Sequence, residues 1–247
     1  MKRLPWRKFT PDEHETWNLM FRRQVEKRDE QIHPLFSQGI GLLGLRDGGV
    51  PEIEEVNKRL RALTGFEGVP VEGLEEDYSF YHMLAEGLFP IGNFIRDRKD
   101  VSYTPAPDVF HDLYGHLPFL ADRDYADFCR ELGKRAVAYP RLPGALTQFA
   151  RLFWFAIEFS VIRTPAGRRI FGAGIASSHG ECAYALSDKP TVIPFSVESV
   201  RRQDFRVDRF QDRIFEIGSL AELYGCLPEF ERAVLTDPEA RDTIPVA

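Results

Sequence analysis

The order of polar and apolar positions along the chain writes out a succession of helices. In "TPDEHETWNLMFRRQVEKRDEQI", a Thr10 cap, Pro11 at the first helical position and acids in the first turn predict a long helix. "GGVPEIEEVNKRLRALTGF" repeats the design, starting at Val50-Pro51 and closing at Gly65. A short helix is expected in "EEDYSFYHMLAEGLF", then a short β-like run, "FPIGNFI". "ADRDYADFCRELGKRAVAY" is amphipathic, with Tyr125, Phe128, Leu132 and Val137 on one side. After a loop at Pro140 to Gly144, a long helix carries "RLFWFAIEFSVI". The grammar then changes. "RRIFGAGIASSHGECAYALSDKPTVIPFSVESVRRQDFRVD" is rich in Gly, Pro and Ser and predicts loops, hairpins and one brief helix. A final helix is expected around Ser219 to Leu235. Residues 1 to about 10 read as a loose lead-in, and no linker or repeat divides the rest of the chain. The expectation is a mainly α (α+β) fold with a small β element: an N-terminal lead-in over 1–13 and a single domain over 14–247.

Composition adds exclusions. At 247 residues, 43% hydrophobic and 13% aromatic, the chain has ample material for a core, and 20 Phe supply rings that build pockets as well. A formal net charge of -6, with only short basic clusters at Arg22-Arg23, Arg168-Arg169 and Arg201-Arg202, argues against a nucleic-acid partner. No window reaches the ~18 uninterrupted apolar residues of a membrane span. Cys129, Cys182 and Cys226 are far apart and odd in number, which suits a reducing cytoplasm better than a disulfide framework or a CxxC metal site.

One residue breaks the apolar pattern. Glu158 sits inside "RLFWFAIEFSVI", where a buried carboxylate needs a cation, a metal or hydrogen bonds. The other conspicuous segment, "YTPAPDVFHDLYGHLPFL", holds His111 and His116. Positions i and i+5 stand about 140° apart on an ideal α-helix, so the two imidazoles converge only where the helix ends or distorts. Gly115 and Pro118 are expected to supply that break. Two imidazoles and one carboxylate form a facial set suited to non-haem Fe(II), or a zinc site with a water in the fourth place. The zinc-hydrolase motif HExxH is absent.

Taken together, "PDVFHDLYGHLPFL", "RLFWFAIEFSVI", "GAGIASSHGECAYALSDKP" and "IGNFIR" resemble the catalytic domain of the pterin-dependent aromatic amino acid hydroxylases, particularly the bacterial phenylalanine hydroxylases, from about His14 to Phe230. The resemblance implies a helical basket with a small β element. It implies that His111, His116 and Glu158 are catalytic metal ligands for Fe(II), working with tetrahydropterin and with O2 as co-substrate to hydroxylate an aromatic ring. It further implies that Arg96 forks onto the substrate carboxylate while Asp108 holds that arginine. Thr104, Pro105, Trp154, Glu181 and Val207 would line the substrate pocket. Ser177 would contact both the substrate and the first histidine, with Ser178 extending the polar shell. By the same likeness, Phe80 stacks on the pterin, and Gly73, Leu74, Asp112 and Ala150 lie near its edge.

Trp154 and Val207 resemble the phenylalanine enzymes, so L-phenylalanine is the expected substrate, attacked para to give tyrosine or at the meta position. Tyrosine or tryptophan hydroxylation is the alternative within the family; a non-catalytic metal or small-molecule binder is the alternative outside it. Departures from the family pattern are Phe153 in place of a common Tyr, His179 in place of an aromatic, and "SYTPAPD". His179 is expected to make a loop hydrogen bond. The animal enzymes' regulatory module and tetramerising helix have no counterpart here, so the expected partners are the amino acid and the pterin alone, with no nucleic acid or membrane, bound by a monomer.

Overall fold

A computed structural model describes residues 4–101, 106–207 and 209–241. The first helix, Pro11–Val25, starts on a reciprocal cap: the Thr10 hydroxyl accepts the Glu13 N–H, and the Glu13 carboxylate accepts the Thr10 N–H at 2.7 Å. The helix Ile53–Thr64 stops at Gly65, whose φ of 76° suits a residue without Cβ. The lead-in is tied down from residue 4. Leu4 N–H donates to Pro70 O at 3.1 Å, Arg7 N–H to Asn93 Oδ1 at 3.2 Å, and Asn93 Nδ2 to Pro5 O at 3.0 Å.

Two small sheets frame the helices. β1 (Glu67–Val71) and β2 (Leu88–Gly92) run parallel, joined by the helix Asp77–Ala85. β3 (Ser160–Thr164) and β4 (Gly167–Ile170) form a hairpin; with β5 (Thr191–Pro194) and β6 (Arg213–Ile217) they make a sheet of order β4-β3-β6-β5. β6 pairs in parallel with both β3 and β5. The mainly α expectation with a small β element therefore holds.

Two local expectations do not. The last helix is broken into Leu220–Gly225 and Leu227–Thr236, because Pro228 lacks the N–H that would continue one helix into the next. The Gly- and Ser-rich region carries three short helices, Ala173–Ala176, His179–Ala185 and Val197–Arg202, instead of one. The latter two are nucleated by the hydroxyls of Ser178 and Ser196, which accept N–H groups of the first turn.

The core lies behind the histidine segment. Phe110 stacks on Tyr114 at 4.7 Å between ring centres, Trp17 meets Phe110 at 5.1 Å, and Phe36 meets Tyr114 at 5.2 Å. These fully buried rings fix residues 110–116 from one side. Among the described residues, no helix is long and apolar enough to cross a membrane.

Candidate metal centre and aromatic pocket

The histidines converge through a distortion of the helix, as their spacing requires, and not through its end. Residues His111–His116 form a π-helical turn, in which hydrogen bonding runs from i to i+5 and positions five apart stand one above the other. The helix widens between the histidines; it does not end there. Gly115 has a different reason for being glycine: a Cβ would lie 2.8 Å from Ala173 O, so the segment 173–177 could not approach. Pro118 sits in the first turn of the next helix, Leu117–Leu120, where its missing N–H is tolerated. A second π turn, Trp154–Glu158, delivers the carboxylate at the end of the helix Pro143–Phe153, with Phe159 N–H donating to Trp154 O at 2.8 Å.

Three side chains meet. His116 Nε2 lies 2.9 Å from Glu158 Oε1 and 3.1 Å from His111 Nε2, and His111 Nε2 lies 3.7 Å from Glu158 Oε2. With metal–nitrogen bonds of about 2.1 Å, ligands at right angles sit about 3.0 Å apart and tetrahedral ligands about 3.4 Å apart. The two shorter separations fit the right-angled facial arrangement.

Hydrogen bonds set the tautomer of His111. The Ser177 hydroxyl donates to Gly174 O at 3.1 Å, so its oxygen is left to accept from His111 Nδ1–H at 3.0 Å. Nε2 then presents its lone pair to the shared space. Burial, working against the nearby Glu158 charge, pulls His111 down to about 4, which keeps the ring neutral at neutral pH. Burial also works against charge on Glu158, but the adjacent imidazoles outweigh it and hold the carboxyl below its ordinary range. The Gly174 N–H faces that carboxylate, yet buried Oε2 has no partner at hydrogen-bonding geometry. A Cβ on Gly174 would crowd this oxygen at 3.0 Å. Imidazole nitrogens beside a carboxylate oxygen that has no hydrogen-bond partner among the described residues could hold a cation.

Asp112 competes for the third place, since one of its oxygens lies within 4.8 Å of a ring nitrogen of each histidine. Its Oδ2 is already engaged by Gly92 N–H at 2.7 Å, and burial pushes its carboxyl well above the ordinary range, toward the neutral acid. Glu158 is the better ligand on both counts.

Arg96 and Asp108 form a buried fork. Arg96 Nε donates to Asp108 Oδ2 and Nη2 to Oδ1, both at 2.8 Å, leaving Nη1 outside the pair. Asp108 also accepts the backbone N–H groups of Arg96, at 2.9 Å, and His111, at 3.0 Å, so one carboxylate ties the arginine to the first histidine. Burial raises this carboxyl, and the Arg96 bonds more than reverse that.

Aromatic rings flank His116. Phe89 lies 4.5 Å from the His116 ring, Phe153 is stacked on it at 6.2 Å, and Phe80 meets Phe153 edge-on at 4.9 Å. Ala150 is buried in the core, whereas Gly73 and Leu74 are exposed, Leu74 by 73%. Trp154 is half-buried and stacks on Phe205 at 4.3 Å. Val207 is 65% exposed. Burial raises Glu181 to about 7, and Ser178 caps its helix. His179 is exposed and, among the described residues, its side chain has no hydrogen bond, contrary to the loop bond expected of it. Thr104 and Pro105 lie outside the described residues. Phe89, Phe205 and Gln211 join the site without any sequence signal, since an aromatic in a strand and a glutamine in a polar run carry no periodic pattern.

The profile of a family described as biopterin-dependent aromatic amino acid hydroxylase matches residues 1–237. Phenylalanine-4-hydroxylase of Caulobacter vibrioides is 39% identical over 222 residues, covering 88% of this chain and 74% of that protein. The Chromobacterium violaceum phenylalanine-4-hydroxylase is 36% identical over 228 residues, covering 92% and 76%. A crystal structure of C. violaceum phenylalanine hydroxylase, with bound iron(III) and the oxidised cofactor 7,8-dihydrobiopterin, superposes with a TM-score of 0.88 at 35% identity over 98% of this chain and 90% of that one. The Legionella pneumophila phenylalanine hydroxylase gives 0.86 at 34% identity, over 96% and 94%. This chain belongs to the biopterin-dependent aromatic amino acid hydroxylases.

Proposed function

We propose that this chain is an iron- and tetrahydropterin-dependent monooxygenase that hydroxylates the ring of free L-phenylalanine. Its similarity to bacterial phenylalanine hydroxylases over most of both chains supports the substrate class. The observation that carries the reading is the convergence of His111, His116 and Glu158, whose carboxylate Oε2 has no hydrogen-bond partner among the described residues.

In this reading, those three side chains hold Fe(II). Bound beside a reduced tetrahydropterin, the metal supplies O2 activation, with one oxygen atom going to the ring and the pterin furnishing electrons. The protein's own part is placement. Ser177 keeps His111 in the tautomer that offers Nε2 inward. Arg96, braced by Asp108, turns the free Nη1 of its guanidinium toward the substrate carboxylate. Trp154, Val207 and Glu181, with Thr104 and Pro105, border the substrate. Phe80 offers a stacking face to the pterin, with Gly73, Leu74, Asp112 and Ala150 near its edge. Phe89 and Phe153 keep water from the His116 side of the metal. Three buried free thiols, Cys129, Cys182 and Cys226, support a cytoplasmic setting, and we read the enzyme as a monomer, which sedimentation checks.

The test is an assay of anaerobically Fe(II)-loaded protein given tetrahydropterin, O2 and Phe, Tyr or Trp, with products resolved by ring position. Hydroxyphenylalanine as the main product is expected. No hydroxylated product at full iron occupancy overturns the reading.

A further inference from the structure

Val207 lies in the chain between the helix Val197–Arg202 and strand β6, and described residues on both sides of it are bonded to Arg151 and Trp154. Arg151, buried three residues before Trp154, fixes the near end: Nη2 donates to Asp204 Oδ1 at 2.6 Å and Nη1 to Arg201 O at 2.8 Å. Phe205 comes next, its ring nearly parallel to the indole at 14°. The far end is held by Gln211, which is 7% exposed.

Each half of the Gln211 amide is committed. Oε1 accepts Trp154 Nε1–H at 3.1 Å, while Nε2 donates to Arg206 O at 2.8 Å and to Arg209 O at 3.0 Å. Its orientation is forced, because an indole N–H can only donate and backbone carbonyls can only accept. The two carbonyls bracket Val207. One side chain therefore joins the indole plane to backbone carbonyls on either side of Val207, and neither can rotate without breaking these part-buried hydrogen bonds.

Resting on the function proposed above, we propose that Gln211 is a positioning residue that locks Trp154 to the backbone at Arg206 and Arg209, beside Val207, as one wall, and so sets how the aromatic ring of the substrate is presented for attack. The wall acts on the ring and leaves the metal untouched. Loss of Gln211 should consequently alter amino acid affinity, the ring position hydroxylated and the product formed per tetrahydropterin consumed, with iron content unchanged.

The experiment compares iron-loaded wild type, Gln211→Leu, Gln211→Glu, Trp154→Phe and the double variant Gln211→Leu/Trp154→Phe. Gln211→Leu keeps the bulk and removes every bond; Gln211→Glu keeps an acceptor for the indole and loses the donors to the turn. For Gln211→Leu we expect a KM for phenylalanine raised about 5- to 10-fold, as for one or two lost hydrogen bonds, together with a lower product-to-pterin ratio and a changed ratio of ring positions. Gln211→Glu should fall between it and wild type. In the Trp154→Phe background, the further effect of Gln211→Leu should shrink to less than about 2-fold, because the indole N–H is no longer there to be held. In the wild-type protein, which needs no substitution to fold, the Trp154 Nε1–H should be protected from hydrogen exchange, assigned by its loss in Trp154→Phe. Unchanged KM, product positions and coupling in Gln211→Leu, the same cost in both backgrounds, or an unprotected indole N–H overturns the proposal while leaving the function intact. A wild type that makes no hydroxylated product at full iron occupancy removes the function and this inference together.

Discussion

Two of the buried charge clusters in this molecule are finished to different degrees. In the first, Arg201 pairs with Asp237 and Glu198, Gln148 donates to Asp237 Oδ2 at 3.3 Å and accepts from Arg201, and Glu239 N–H donates to Asp237 Oδ1 at 3.0 Å. Every charge there has its counter-charge within the chain. In the second, His111, His116 and Glu158 bring ring nitrogens and a carboxylate within 2.9–3.7 Å of one another, and among the described residues Glu158 Oε2 has no hydrogen-bond partner. The first cluster completes itself and serves the fold. The second is left incomplete by the chain, and the iron proposed above would complete it.

Substitutions should separate the two roles. Glu158→Ala should lower iron affinity and iron-supported turnover by more than about 100-fold, beyond the cost of losing a mere outer partner of a ligand, with thermal stability of the metal-free protein little changed; titration and turnover assays check it. Asp237→Ala should do the converse. Leaving Arg201 buried without its carboxylate should cost about 3–5 kcal/mol in urea unfolding, while the folded fraction binds iron as wild type does.

Smaller effects sharpen the contrast. Arg96→Lys keeps a charge beside Asp108 but loses the planar fork, so the KM for phenylalanine should rise about 10-fold or more with iron content unchanged. The smallest effect is on pH dependence. Burial raises the Asp237 carboxyl, but the Glu239 N–H, Arg201 and Arg202, whose Nη2 lies 3.5 Å from Asp237 Oδ2, outweigh it, so its folded value lies below the ordinary 3.8. A depressed carboxyl contributes stability that is present above 3.8 and lost as pH falls through the folded value. The difference in melting temperature between wild type and Asp237→Asn should accordingly narrow in acid below that pH; a constant difference would remove Asp237 from the explanation.

Much of the site was legible in the sequence because its chemistry is costly to hide. A carboxylate among aromatic residues at Glu158 demanded a partner, and His111, His116, Arg96 and Asp108 stood in motifs with specific spacing. Helix ends at Thr10-Pro11 and Gly65 were legible for the same reason, since caps and left-handed turns admit few residue types. The spacing of His111 and His116 called for an end or a distortion of the helix, but that it takes the form of a π turn was not legible. A period of 3.6 describes its flanks, and one extra residue in a turn leaves no pattern, so Gly115 looked like a helix breaker when it is a point of close approach. The short helices after Gly172 were hidden because four to seven residues are too few to show an amphipathic stripe. Gln211 was invisible for another reason: its importance arises from three partners, Trp154, Arg206 and Arg209, of which Trp154 lies 57 positions away.

Anomalous scattering at the iron edge, from crystals of the Fe(II)-loaded protein, tests the central claim most directly. A single strong peak within about 2.0–2.3 Å of His111 Nε2, His116 Nε2 and a Glu158 carboxylate oxygen is the predicted result. A peak ligated by Asp112 in place of Glu158, or no iron between the two imidazoles at full loading, would contradict it.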